Sequence, residues 1–367
     1  MKIAIDVSQV VYGTGVSVYM RNLVQNLLKI DNENEYLLFA GVLRRKKDLM
    51  EFFRSLEGAF ETKVVPLPPW TADIFWNRYR GVKIERFIGK IDILHSSDWS
   101  QPPTDAYKVT TVHDLVPFKF PQLTSQRLVD THKRSLEIIK KEADVIIVPS
   151  SSTETDLIKM GFDGQNIKVI AEAPNENFSM TDERETENIR KKYRIGGDYL
   201  LAIGVNPRKN LTRIIDAYEL VKSSENNKRV RNMFLVAVGH APSTIIAPRG
   251  VRFVGYVPDS DLAALYTGAS VLVYPSLYEG FGLPILEAFK CEVPVVTSSI
   301  SSLAEVAGKA AVMVDPYSVE DIARGIVYSL KNKRKLVRKG LTHVKKYSWE
   351  KAARETLEVY RYAKEGS

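Results

Sequence analysis

Short apolar runs alternate with amphipathic helical patterns along the chain. An apolar run at 3–7 predicts a buried strand, and the next apolar positions recur at helical spacing: Val16, Tyr19, Leu23, Leu27 and Ile30. Further strands are predicted at 36–40, 64–67, 91–94, 109–112 and 144–148, with a long helix at 124–142. Uninterrupted apolar strands between helices are typical of parallel sheets that are covered on both faces.

The same alternation starts again in the second half of the chain. Strands are predicted at 199–204, 233–238, 251–254, 271–274, 293–297 and 311–314, with a helix at 211–221. Two such series predict an α/β protein with two Rossmann-like, doubly wound domains. The polar, acidic segment 174–188 is predicted to be the crossing between them.

Composition agrees with a two-domain globular protein. The 367 residues exceed what one hydrophobic core usually serves, and 44% hydrophobic with 26% charged residues is ordinary usage. The single cysteine, Cys291, excludes an intramolecular disulfide, fits a cytoplasmic location, and is expected to be buried. Since no apolar leader or bilayer-length apolar run is present, we predict neither secretion nor a membrane span.

The segment 274–288, YPSLYEGFGLPILEA, carries the most specific chemistry. Gly280 and Gly282 permit a left-handed backbone or a close backbone approach, and Pro284 suits a first helical turn. The turn therefore opens a helix N-terminus, where outward-pointing amides and the helix dipole favour a diphosphate. The amides expected at this end are those of Phe281, Gly282 and Leu283.

Two carboxylates flank this turn. Glu279 lies on the loop, beside the expected ligand, and Glu287 lies eight positions later inside the helix, where it can reach a nearby diol. Glutamates are usually solvated surface residues. Because these two flank a turn that is shaped to take an anion, we favour a binding role for both.

This pattern resembles the signature of the retaining glycosyltransferases of family four, which have the GT-B architecture. The resemblance rests on the spacing of the two glutamates, the small-residue turn, the Pro-Ile-Leu-Glu-Ala continuation and the strand CEVPVVTS that follows. It implies that Glu279 contacts the donor sugar and that Glu287 binds the ribose hydroxyls of the nucleotide. It also implies two domains facing a cleft, with the last helix crossing back to the first domain.

A crossover helix is predicted at 348–363, with Ser348 as its N-cap. The expected first, acceptor-side domain is therefore 1–173 plus 348–367, and the expected nucleotide-sugar-binding domain is 174–347.

A second motif, GVNPRKN at 204–210, follows the first strand of the second half. Ligands of doubly wound sheets bind at the carboxyl ends of the strands, so Arg208 and Lys209 are expected near the Glu279 turn, where they can hold a diphosphate. Family members carry a similar pair, but many also have an arginine after the strand glycine, where this chain has Val205 and Asn206. The alternative is a capping turn with two solvated bases.

The first domain offers a glycine loop and a histidine. Gly13 and Gly15 in YGTGVSVY resemble the loop that the family closes over the donor phosphate. A nicotinamide site would instead need a third glycine and an acid at the end of the next strand, where Gly41 stands. His113 ends a strand, and the resemblance places it beside the donor sugar and the reacting carbon. His95 also ends a strand and is either structural or on the acceptor side.

No metal or other cofactor is expected. The five histidines show no paired spacing, and Asp259, in the Asp-x-Asp of VPDSDL, is better explained as a helix N-cap. The charge of the leaving diphosphate is therefore assigned to Arg208, Lys209 and the helix N-terminus.

The chain has a net charge of +8, and its basic residues concentrate in 43–56 and 331–347, while 68–81 adds aromatic residues beside Arg78 and Arg80. The stretch 43–56 is predicted to form a basic amphipathic helix whose exposed apolar residues contact an anionic membrane or a lipid-linked acceptor: Leu49, Phe52 and Phe53. A solvated charged face is the alternative. Nucleic-acid binding is disfavoured because no recognition motif accompanies the charge.

Together these features predict a metal-independent retaining glycosyltransferase that moves a hexosyl group from a nucleotide-diphosphate sugar to a glycan or lipid-linked acceptor. The first loop, the segment His-Asp-Leu-Val-Pro and the turn Asn-Pro-Arg-Lys-Asn are most similar to mannosyltransferase-type members, which favours GDP-mannose, with a UDP-hexose next. Two alternatives are a non-catalytic GT-B partner protein and a GT-B nucleotide-sugar epimerase.

Overall fold

The computed structural model describes residues 1–67, 69–176, 178–224, 228–242 and 247–365. Positions 68, 177 and 366–367 belong to the segments 68–81, 174–188 and 348–367 discussed above and lie outside the described residues. The chain divides into two compact units. Unit 1 contains Met1–Glu172 and Ser348–Ser367, and unit 2 contains Ala173–Tyr347.

Unit 1 is built on a seven-stranded parallel sheet. Its strands are β1 (Lys2–Asp6), β2 (Glu35–Gly41), β3 (Glu61–Val65), β4 (Ile93–Ser97), β5 (Tyr107–Thr111), β6 (Val145–Val148) and β7 (Ile167–Val169). The order across the sheet is β3-β2-β1-β4-β5-β6-β7, and every neighbouring pair is parallel. The strand order therefore reverses between β1 and β4, which is the switch point of a doubly wound fold.

Helices connect the strands of unit 1. They are α1 (Gly15–Ile30), α2 (Lys46–Ser55), α3 (Pro69–Ala72), α4 (Glu85–Ile88), α5 (Val116–Lys119), α6 (Gln126–Glu142) and α7 (Ser151–Lys159), with a π-helix at Asp73–Tyr79. Short 3₁₀ turns lie at Ser8–Val11, Pro121–Leu123 and Gly164–Asn166. Thr14 and Ser17 form a capping box that fixes the start of α1.

Unit 2 repeats the architecture with six parallel strands. These are β8 (Tyr199–Ile203), β9 (Phe234–Val238), β10 (Val251–Phe253), β11 (Val271–Tyr274), β12 (Val295–Ser298) and β13 (Val312–Val314), in the order β10-β9-β8-β11-β12-β13. The order reverses between β8 and β11, which pair in parallel with Leu201 opposite Leu272. The prediction of two doubly wound α/β domains is confirmed.

The helices of unit 2 cover both faces of its sheet. They are α8 (Glu183–Lys192), α9 (Leu211–Ser224), α10 (Lys228–Arg231), α11 (Asp259–Thr267), α12 (Leu283–Lys290), α13 (Ser301–Ala307), α14 (Val319–Lys331) and α15 (Lys333–Val344), with a 3₁₀ turn at Pro207–Lys209. On one face, Ile214 of α9 and Ile326 of α14 pack with Val273 and Val296 of the central strands in a buried cluster. This apolar layer fixes where β8 and β11 end.

The last helix, α16 (Trp349–Glu365), belongs to unit 1 and packs against α1. Ser348 caps it as predicted, because its hydroxyl accepts a hydrogen bond from the Lys351 amide at 3.1 Å. The buried ring of Trp349 meets the ring of Tyr19 edge-on at 5.7 Å. The predicted return of the chain to its first half is therefore present.

The predicted crossing segment 174–188 begins next to the boundary between the two units and includes the start of α8, which is capped by the Asp182 side chain accepting from the Glu185 amide at 2.7 Å. Two local predictions are wrong. Asp259 is the first residue of α11, and Pro258 occupies the N-cap position.

The second error concerns α2, which forms as expected but does not expose its apolar face. Leu49, Phe52 and Phe53 are only 0%, 2% and 7% exposed. Phe52 lies beneath the Arg21 guanidinium at 5.0 Å, and Phe53 packs near Phe60. The apolar stripe of α2 therefore belongs to the core of unit 1, because an amphipathic surface helix buries that stripe against its own domain.

Candidate functional site

Two loops meet at the switch point of the sheet in unit 2. The first follows β8 and contains the 3₁₀ turn Pro207–Lys209, and the second follows β11 and leads into α12. The Leu277 amide donates a hydrogen bond to the Arg208 carbonyl at 2.9 Å, which joins the loops. Crevices at such switch points are the usual ligand sites of doubly wound sheets.

Glu279 lies between the two predicted cations. Its Oε2 is 2.5 Å from Arg208 Nη1, and its Oε1 is 2.7 Å from Lys209 Nζ. The Tyr274 hydroxyl donates to the same Oε1 at 3.0 Å and accepts from Lys209 Nζ. The structure therefore brings together three residues that the sequence singled out, and it adds Tyr274, the last residue of β11, which sequence reasoning missed.

The charges of this cluster control its ionisation. Burial alone would raise the pKa of Glu279, but the Lys209 and Arg208 charges outweigh burial and lower the pKa to about 2. Burial, followed by the Glu279 charge, holds the pKa of Tyr274 well above its usual value. At neutral pH the cluster therefore contains two cations, one carboxylate and a neutral phenol, which leaves one surplus positive charge for an anion.

Two serines at the start of α13 fix the backbone of the Glu279 loop. Ser301 Oγ accepts from the Glu279 amide at 3.1 Å and donates to the Glu279 carbonyl at 2.8 Å. Ser302 Oγ lies 2.8 Å and 2.7 Å from the carbonyl oxygens of Glu279 and Phe281, which share its single proton. These bonds hold the loop in place, so the Glu279 carboxylate is positioned by a rigid backbone.

Gly282 forms the N-cap of α12 with a φ of 122°, which side chains rarely adopt. A Cβ atom at this position would also lie 2.7 Å from Leu303 Cδ2. Leu283 begins the helix and Pro284 lies in its first turn, as predicted. The predicted amides at Phe281, Gly282 and Leu283 thus surround a true helix start, with Gly280 in the preceding loop.

Glu287 lies on α12 and is paired with α11 rather than with a cation. Tyr266 donates its hydroxyl to Glu287 Oε2 at 2.8 Å. Burial raises the pKa of Glu287 to about 7, against the opposing effect of the Tyr266 hydrogen bond. The carboxyl group therefore changes its charge close to neutral pH.

His113 follows β5 in unit 1 and is 8% exposed. Its backbone amide donates to Asp98 Oδ2 at 3.3 Å, and its Nδ1 is 3.6 Å from Glu172 Oε1. Its Nε2 has no hydrogen-bond partner among the described residues. Burial lowers the pKa of His113, but Glu172, Asp98 and Asp114 outweigh burial, so the pKa lies above its usual value.

Sequence reasoning missed Asp98 and Glu172. Asp98 directly follows β4, and Glu172 comes three positions after β7. Both therefore lie at the same carboxyl edge of the sheet as His113. Their positions just after strands were the sequence signal that could have identified them as site residues.

His95 is structural, which decides between the two alternatives that the sequence left open for it. It is 0% exposed, with Nδ1 2.6 Å from the Tyr360 hydroxyl and Nε2 2.8 Å from Thr111 Oγ1. Burial lowers the pKa of His95 to about 3, so the ring is neutral. It ties α16 to the sheet of unit 1.

The glycine loop of unit 1 is an exposed turn before α1. Gly13 has a φ of 66°, which explains a glycine at this position, and Gly15 is the first residue of α1. A Cβ atom added to either residue would meet nothing within 4 Å. The open space around the loop agrees with a ligand-facing role, which stays a prediction.

The described part of the chain contains neither a cluster of metal-binding side chains nor a helix that could span a membrane. Within this part, no group of three or more His, Cys, Asp or Glu side chains is placed to hold a metal ion. None of the helices there has the length and apolar character that crossing a bilayer requires. Cys291 is buried, as expected.

Two family models match most of the chain. Residues 13–173 match the family described as Glycosyltransferase Family 4, and residues 185–346 match Glycosyl transferases group 1. The O-antigen chain mannosyltransferase B of Escherichia coli is 32% identical over 282 residues, which cover 73% of this chain and 74% of that protein. The chain belongs to the group 1 glycosyltransferases of family 4. The predicted family is confirmed.

A second relative and a solved structure are also similar to this glycosyltransferase. The serotype-specific mannosyltransferase WbdA of E. coli is 29% identical over 297 residues, which are 73% of this chain but only 36% of WbdA. The structure of Anabaena HepE in complex with UDP-glucose has a TM-score of 0.70 at 15% identity, covering 99% of this chain and all of that one. The predicted GT-B fold is therefore confirmed.

The two matched regions divide the candidate residues of the glycosyltransferase. His113, Gly13 and Gly15 lie in the family 4 region, and Arg208, Lys209, Glu279 and Glu287 lie in the group 1 region. Membership of this family shows that the protein is a glycosyltransferase. The roles of these residues remain predictions.

Proposed function

We propose that this glycosyltransferase transfers a hexosyl group, with retention of anomeric configuration, from a nucleotide-diphosphate sugar to a glycan or lipid-linked acceptor, and that the donor is GDP-mannose. The observation that carries the proposal is the cluster of Arg208, Lys209 and Glu279 at the switch point of unit 2.

The cations of this cluster suit a diphosphate. Arg208 offers a planar fork of donors, Lys209 a compact charge, and the start of α12 adds backbone amides. Both cations are bound to Glu279 in the free protein, so the incoming diphosphate replaces the carboxylate as their partner. Glu279 is then available to the donor sugar at the same strand end.

Glu287 suits the ribose. Because Tyr266 donates to Oε2, the other carboxylate oxygen remains to accept hydrogen bonds from vicinal hydroxyls. Ionised carboxylate is the better acceptor, and the pKa of about 7 makes this contact sensitive to pH near neutrality.

In the reaction, the bond between the anomeric carbon and the β-phosphate oxygen breaks, and the electron pair goes to that oxygen. Arg208 and Lys209 stabilise the developing charge without a metal ion. The acceptor hydroxyl oxygen bonds to the anomeric carbon, and its proton goes to the departing β-phosphate oxygen. His113 donates a hydrogen bond from Nε2 to the donor sugar, while Glu172 acts as a positioning residue at Nδ1.

The donor preference rests on the relatives. Both E. coli relatives are named as mannosyltransferases, which supports a mannosyl donor, whereas HepE was solved with UDP-glucose, which keeps a UDP-hexose as the next choice.

Calorimetric titration with GDP and UDP side by side tests the donor. We expect GDP to bind at least about tenfold more tightly, which is about 1.4 kcal/mol. Arg208→Ala serves as the control, since binding through the proposed site must weaken in that variant. Tenfold tighter UDP binding would reverse the preference, and equally weak binding of both nucleotides would overturn the proposal.

A further inference from the structure

The net charge of the protein originates in one stretch. The chain has 52 Lys and Arg residues and 44 Asp and Glu residues. Residues 331–347 contain eight of the basic residues and none of the acidic ones. Outside this stretch the remaining 44 basic residues equal the 44 acidic residues, so the excess of +8 is local and not a general property of the surface.

The structure turns this stretch into a one-sided cationic surface. Most of it is α15, whose buried residues are Leu336, Gly340 and Val344. That face packs closely on α12, because a Cβ atom at Gly340 would lie 2.6 Å from Phe289 Cδ1. Apart from Thr342, the exposed positions of 333–346 are basic: Lys333, Arg334, Lys335, Arg338, Lys339, Lys345 and Lys346.

A cavity of about 660 Å³ lies between α15 and the turn after α13. Its basic lining residues are Lys309, Arg338, Lys339 and Lys346, and its lining includes no Asp or Glu. His343 also lines it, with Nε2 2.8 Å from the Val306 carbonyl. Four basic residues and no acidic residue therefore border this one open cavity.

The basic residues of α2 provide a contrast within the same protein. Arg45 lies 2.7 Å from Asp48, and Lys47 lies 3.9 Å from Glu51. No ion pair joins Arg338, Lys339 or Lys346 to a carboxylate anywhere in the described part of the chain. Two of the basic residues around the start of α2 therefore have an acidic partner within one helical turn, whereas Arg338, Lys339 and Lys346 have no carboxylate partner in the described part of the chain.

We propose that the outer face of α15, named here the α15 surface and formed by 333–346 with Lys309, binds an anionic phospholipid membrane, with a headgroup phosphate in the cavity. Clusters of this many Lys and Arg residues on one helix favour anionic lipid. The large exposed hydrophobic residues of the described chain include none on α15, so it offers no aromatic platform for nucleic-acid bases. Binding is therefore electrostatic, reversible and independent of the donor site.

Sedimentation with vesicles tests this surface with two matched variants. One carries Lys335→Gln, Arg338→Gln, Lys339→Gln and Lys346→Gln, and the control carries Arg44→Gln, Arg45→Gln, Lys46→Gln and Lys47→Gln around the start of α2. We expect the wild type to bind phosphatidylcholine vesicles containing phosphatidylglycerol, and not pure phosphatidylcholine. The α15 variant is expected to lose about tenfold or more in binding, the control less than about twofold, and added salt should mimic the α15 changes.

Several outcomes would overturn the inference. These are equal binding by wild type and α15 variant, equal losses in both variants, and wild-type binding that does not depend on anionic lipid. Stabilisation by inorganic phosphate without vesicle binding would assign the cavity to a soluble ligand, and binding to DNA without vesicle binding would assign the surface to nucleic acid. Circular dichroism checks folding. Calorimetry measures nucleotide affinity, and therefore the donor site, independently of vesicle binding. We expect this affinity to be unchanged in both variants.

Discussion

Replacing Glu279 by Gln removes one negative charge and little volume from the centre of the proposed donor site. The pKa of Glu279 is about 2 in the folded protein, against an ordinary 4.5. Each unit of this shift corresponds to about 1.4 kcal/mol, so the ionised carboxylate stabilises the fold by about 3 kcal/mol. We expect Glu279→Gln to lower the free energy of unfolding by about that amount at pH 7.

The pH dependence of this stabilisation follows from the direction of the pKa shift. The folded pKa is depressed, so this stabilisation is fully present above the ordinary value of 4.5 and is lost as the pH falls towards 2. Urea unfolding at pH 7, followed by circular dichroism, measures it. Glu219→Gln is the control, because Glu219 is exposed and only 3.9 Å from Lys222, and such surface pairs contribute about 0–1 kcal/mol.

The Glu279→Gln variant should lose turnover without losing affinity for the nucleotide. If the carboxylate stabilises charge at the donor sugar, kcat falls by about one to three decades. Affinity for the nucleoside diphosphate should not weaken, because Arg208 and Lys209 lose their competing partner. Near-normal turnover, weaker diphosphate binding, or a stability loss no larger than that of Glu219→Gln would refute the reasoning.

Three further predictions follow from neighbouring contacts. Arg208→Ala and Lys209→Ala should each weaken binding of the nucleoside diphosphate more than of the nucleoside in calorimetry, and wild-type activity should survive EDTA; metal-reversible loss of activity contradicts this. Since the pKa of Glu287 is about 7, wild-type nucleotide affinity should rise between pH 6 and 8 by up to about tenfold relative to Glu287→Gln, whereas parallel pH curves exclude the ribose contact. Glu172→Gln should lower the pKa of His113 and shift the alkaline limb of the kcat profile to lower pH; an unshifted limb with reduced stability would indicate a merely structural residue.

The strands and the donor cluster were predictable because their signals are local. Uninterrupted apolar runs identify parallel strands, and the carboxyl ends of β8 and β11 then place Arg208 and Glu279 at one edge. The contact of His113 with Glu172 was not predictable, since it depends on tertiary packing between distant positions. The helix α8 was not predicted, because its buried face consists of Ile189 alone and therefore leaves no repeating apolar pattern in the sequence.

The error at α2 has a related cause. Its sequence showed an apolar stripe beside basic residues, but the pattern alone does not say what covers the stripe. In the structure Phe52 is buried within unit 1, whereas α15 leaves its basic face to solvent. The pattern therefore located the amphipathic face of α2, and only the fold showed that its apolar side packs within unit 1.

A crystal structure with GDP-mannose tests the central claim most directly. The account predicts diphosphate oxygens within about 3 Å of side-chain nitrogens of Arg208 or Lys209, with ribose hydroxyls at the same distance from the Glu287 carboxylate. It also predicts that Glu279 has exchanged its cation contacts for the donor sugar. A nucleotide bound elsewhere, or one whose diphosphate leaves the ion pairs of Glu279 intact, would contradict it.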